Sequence, residues 1–81
     1  MTDTEKLIEI AKNSIEFHKR GMANAINRAA QYSRELREAR AKGHEDDIKM
    51  LIETRDWEYK QRRWHKRHLD RLEKQLKFLE G

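Results

Sequence analysis

His65 and His68 stand one helical turn apart, and a chain folded back on itself brings His18 within about a turn of His65. Three imidazoles are the residues here best suited to holding zinc. No cysteine or carboxylate completes that set at a familiar spacing. A histidine pair without outer partners is a weak basis for a metal centre. The expectation is therefore no metal, with His18 a partly buried seam residue and His65 and His68 part of a basic face. His44 reads as a solvated turn residue.

Catalysis has less to work with. Ser14 and Ser33 have no histidine at a suggestive position beside them. Glu5/Glu9 and Asp46/Asp47 sit at expected helix starts, where the helix dipole accounts for them. The three glycines are isolated, so no loop cradles a phosphate. No enzymatic activity and no cofactor are expected.

A different chemistry is written in the second half of the chain. Trp57, Lys60, Trp64, Arg67, Arg71, Lys74 and Phe78 recur at steps of three and four, with Met50 one heptad upstream. From Lys60 to Lys74 there are seven Lys or Arg against two Asp or Glu, a net of +5, while the rest of the chain nets −1. Tryptophan is enriched at interfaces, and flanking cations suit an acidic face or phosphates. Trp57, Lys60, Arg63, Trp64, Arg67, Arg71 and Lys74 are the candidate partner-binding residues. The plainer alternative makes Trp57 and Trp64 core, packed on Ala25, Ile26 and Ala29 or on a second copy. Ile10 and Phe17 occupy the matching outer positions of the first half and extend the same apolar patch.

The elements that must carry this ridge follow from spacing. The chain has 81 residues, 42% of them charged and 36% apolar, without proline or cysteine, and a net charge of +4. That length allows a single domain over residues 1–81 with a thin core. Nothing resembles a signal peptide, and no apolar run approaches the roughly 18 residues of a membrane span. A cytoplasmic protein is the expectation. Thr2 with Glu5 forms a capping-box pattern, Gly43 suits a helix C-terminus, and Glu45-Asp46-Asp47 suit a second start. A helix over about residues 4–42, a turn at 43–44 and a helix over about 45–79 result.

Both helices carry a heptad seam. In the first it is Ile8, Ala11, Ile15, His18, Met22, Ala25, Ala29, Tyr32, Leu36 and Ala39. In the second it is Ile48, Leu51, Arg55, Glu58, Arg62, His65, Leu69, Leu72, Leu76 and Leu79. Folding at Gly43 places Ile8 against Leu79, His18 against Leu69, Ala29 against Glu58 and Leu36 against Leu51. One constant register serves every pair. The fold class is all-α: a long antiparallel, coiled-coil-like hairpin. Its core is small enough that two copies should pair into a four-helix bundle. Gly21 offers an alternative of three helices, since a glycine inside a helix costs about 1 kcal/mol relative to alanine.

The function expected of such a chain is non-enzymatic protein interaction. It would be a small regulator, adaptor or inhibitor of a larger protein, in size and charge like phage-encoded modulators of host machinery. The partner would present an acidic face, and the chain would act as a homodimer. Nucleic acid is the alternative partner for the same ridge. Against it stand fifteen acidic residues, with Glu58–Arg62, Asp70–Lys74 and Glu73–Lys77 spaced to pair. The chain also lacks the short recognition helix of a helix-turn-helix. A membrane surface ranks last, because charge is mixed into the aromatic line and not separated from it.

Overall fold

The computed structural model describes residues 2–81. They form two helices, α1 (Asp3–Lys42) and α2 (Glu45–Glu80), folded into an antiparallel hairpin of 60 × 16 × 14 Å. Thr2 is extended, and its Oγ1 accepts the Glu5 N–H at 3.1 Å, while Asp3 and Glu5 meet the positive end of α1. At the other end Gly43 takes the left-handed conformation, φ 72°. The Gly43 N–H then donates to the Arg40 carbonyl at 3.3 Å and the His44 N–H to the Ala39 carbonyl at 3.1 Å, a Schellman closure. Glu45, Asp46 and Asp47 open α2, with Asp47 3.6 Å from His44 Nδ1.

The hairpin buries the heptad seam. Ala11, Ile15, His18, Ala25, Ala29, Leu36 and Ala39 of α1 and Leu51, Glu58, His65 and Leu69 of α2 are the buried residues, all of them seam positions. Near the turn, Leu36, Ala39 and Leu51 pack with Tyr32, Ile48 and Ile52. This puts Leu36 with Leu51 and Ala39 with Ile48, as the register requires. The seam is weaker elsewhere. Arg62 is exposed, and Ile8, Leu72, Leu76 and Leu79 at the open end are only half-buried.

α1 runs through Gly21 without a break, so the three-helix alternative does not occur. The reason for the glycine lies across the seam. A Cβ at residue 21 would overlap the His65 imidazole, whose Cδ2 would lie 3.0 Å away and whose Cε1 and Nε2 would lie closer still. Gly21 is a seat for a side chain of the opposite helix.

Candidate protein-interaction surface

Midway along the hairpin the seam turns polar and aromatic. His18 and His65 are both buried, and their Nδ1 atoms lie 2.8 Å apart in a hydrogen bond. His68 stacks on His18, with ring centres 5.0 Å apart and planes within 4°. Arg71 donates to His68 Nδ1 at 3.0 Å. A guanidinium only donates, so that nitrogen is the acceptor and the neutral ring carries its hydrogen on Nε2. Burial holds His18 below the ordinary histidine pKa, helped by positive charge at His65, His68 and Arg71. Burial also lowers His65, followed by His68 and Arg28. The rings meet one another by hydrogen bonding and stacking, and the described residues contain no group of three metal-ligating side chains arranged around an ion.

About two turns toward the hairpin's bend, Glu58 is buried at the seam position opposite Ala29, and Arg28 Nε comes within 3.0 Å of its Oε2. Glu58 therefore pairs across the seam and not with Arg62 on its own helix. Among the described residues no ion pair joins Asp70 to Lys74 or Glu73 to Lys77 either. The basic segment keeps its charge less neutralised than the sequence spacing suggested.

Trp64 roofs the histidine cluster. Its ring lies 4.4 Å from His68, 4.8 Å from His65 and 5.3 Å from His18, each edge-on, yet it remains 42% exposed. It is neither core nor free surface: one side holds the cluster and the other faces out. Trp57, one heptad toward the turn, is 58% exposed and has no such support.

The seven candidate residues do not share one face. With the seam labelled a and d, positions c and g flank it on one side and b and e on the other, while f points away. Trp57, Trp64 and Arg71 are c residues. Lys60, Arg67 and Lys74 are f residues on the back of α2, and Arg63 is a b residue on the far flank. The ridge is two parallel rows, one aromatic and one basic. Simple i, i+3/i+4 spacing merges them because adjacent rows on a helix are only about 40–60° apart at 3.6 residues per turn.

The c/g flank has a character that is hard to see along the sequence. Of the nine large apolar residues left exposed, seven lie on it: Leu7, Ile10, Phe17, Met50, Trp57, Trp64 and Phe78. Seven of its 22 residues are charged (Asp3, Arg28, Glu35, Glu38, Lys42, Asp47 and Arg71), against 16 of 22 on the b/e flank. Between Leu7 and Asn24 on α1 and between Met50 and Phe78 on α2, Arg71 is the one Lys, Arg, Asp or Glu it contains. The b/e flank is where Lys12 and Glu80 pair at 3.8 Å.

Within the described residues, no helix is long and apolar enough to cross a membrane. No protein-family model, no curated protein and no solved structure matches the chain.

Proposed function

We propose that the chain is a small non-enzymatic interaction module of the cytoplasm that regulates, adapts or inhibits a larger protein, and that it works as a homodimer. The observation that carries this reading is the junction on α2 between exposed tryptophan and concentrated positive charge. Lys60, Arg63, Arg67 and Lys74 are all exposed, in a segment netting +5, and border Trp57, Trp64 and Arg71. A solvated face has no use for half-exposed tryptophan in a hairpin this charged. The partner is a protein with an acidic face, which the exposed cations steer toward and bind, while the tryptophans beside them hold together the two copies that present those cations.

The test compares Arg63→Glu/Arg67→Glu with Trp57→Ala in capture from the native host, each first checked for retained helicity. Trp57 is the cleaner aromatic probe, because Trp64 also supports the histidine cluster. Both variants should lose the same acidic partner, with Trp57→Ala weakening it by about 2 kcal/mol or more if it is a hot spot. Retention of all partners by both variants would overturn the proposal. So would tight binding to generic duplex DNA that is lost with the arginines and falls by about 0.9 log units per log unit of salt for each phosphate neutralised.

A further inference from the structure

We infer that a second copy of this chain covers the c/g flank, with each α1 lying against the partner's α2 and the two-fold axis parallel to the hairpin. This rests on the self-association part of the proposed function and supplies its geometry.

The flank is a second heptad seam. On α1 the positions Leu7, Ile10, Ser14, Phe17, Gly21 and Asn24 repeat at steps of three and four; on α2 Met50, Thr54, Trp57, Gln61, Trp64 and His68 do the same. A soluble hairpin with two seams at an angle to each other has the pattern of a four-helix bundle half. The footprint also suffices. A face of 60 × 16 Å is of the order of the roughly 800 Å² per partner that stable complexes bury.

Complementarity chooses the arrangement. With the axis parallel to the hairpin, the intramolecular register carries over to the neighbouring copy. Ile10 then meets the partner's Phe78, and Phe17 meets the partner's Arg71, a cation over a ring. Asn24 meets the partner's Trp64 and Gln31 the partner's Trp57, so each indole N–H faces an amide. Lys42 meets the partner's Asp47. No like charges oppose each other, and Met50 against the partner's Glu38 is the single apolar side chain set on a carboxylate. Turning the axis perpendicular instead, with α1 on the partner's α1, sets Leu7 and Ile10 against the partner's Glu38 and Glu35. Apolar side chains would then be spent covering carboxylates. The basic f row of Lys60, Arg67 and Lys74 stays outside either way, so the pair presents two separate basic crests for the acidic partner.

Sedimentation of the intact chain comes first and should give a species of twice 9.9 kDa. Ile10→Cys and Phe78→Cys are then made separately, mixed and oxidised. The mixture should yield a covalent heterodimer that neither variant forms alone. In a third arm Trp57→Glu should weaken self-association by about thirtyfold, as for a hot spot, and Gln31→Lys in the same chain should restore it. Arg63→Glu/Arg67→Glu, outside the flank, should leave it unchanged. A folded monomer at micromolar concentration would overturn both this inference and the homodimer. A dimer in which Ile10→Cys cross-links to itself, or which ignores Trp57→Glu, would overturn this arrangement alone.

Discussion

His18 and His65 share one hydrogen between their Nδ1 atoms, 2.8 Å apart, at the buried centre of the hairpin. One ring must donate and the other accept, so the bond cannot survive protonation of both. Burial lowers both pKa values, and Arg28, His68 and Arg71 crowd the pair with positive charge or the capacity for it. The folded chain therefore binds these protons less readily than the unfolded chain, whose histidines titrate near 6.5. The stability contributed by the neutral pair is complete above that pH. It is lost as pH falls from there toward the folded pKa values, below which the loss levels off. Thermal midpoints measured from about pH 7.5 to about pH 5 should fall. The fall should be shallower in His18→Leu/His65→Leu, which keeps His44 and His68; an equal slope in both would show the pair to be uninvolved.

Gly21→Ala should destabilise the protein even though the same change in an exposed helix gains about 1 kcal/mol. The added methyl overlaps the His65 ring, which is held by His18 and Trp64 and cannot simply swing away. In a His65→Ala background the sign should reverse, with Gly21→Ala now stabilising. Urea midpoints for the four-member cycle decide it, and additivity would argue against the seat.

Glu58 and Arg28 should respond differently to removal. Arg28→Ala leaves a buried carboxylate without its partner and should cost about 1–2 kcal/mol. Glu58→Leu fills the buried seam position opposite Ala29 with carbon and should be neutral or stabilising, as replacements of buried ions often are. Calorimetry that found Glu58→Leu the more damaging of the two would mean the carboxylate specifies the register.

Leucine truncations should sort by position along the seam. Leu36 is 1% exposed in the cluster beside the turn, so Leu36→Ala should cost roughly 2–5 kcal/mol. Leu72, taken from spacing alone, would be assigned the same cost. It is only half-buried, and Leu72→Ala should lose clearly less in chemical denaturation.

Much of this was legible in residue order. Thr2, Gly43 and the acidic run Glu45-Asp46-Asp47 mark the helix ends by local chemistry, because a cap needs only a few neighbouring residues. The heptad spacing names the buried face, since that periodicity is a property of one helix. Composition locates the positive charge. What the sequence could not decide is set by atoms on the other helix. Gly21 looks like a helix break until the His65 ring is placed over it. Glu58 looks paired with Arg62 until Arg28 comes within 3.0 Å across the seam. The single ridge of Trp57 to Lys74 separates into an aromatic flank and a basic back only once the axis of α2 is fixed against α1. At 3.6 residues per turn neighbouring rows differ by a small rotation, and only packing against a second helix fixes where that rotation begins.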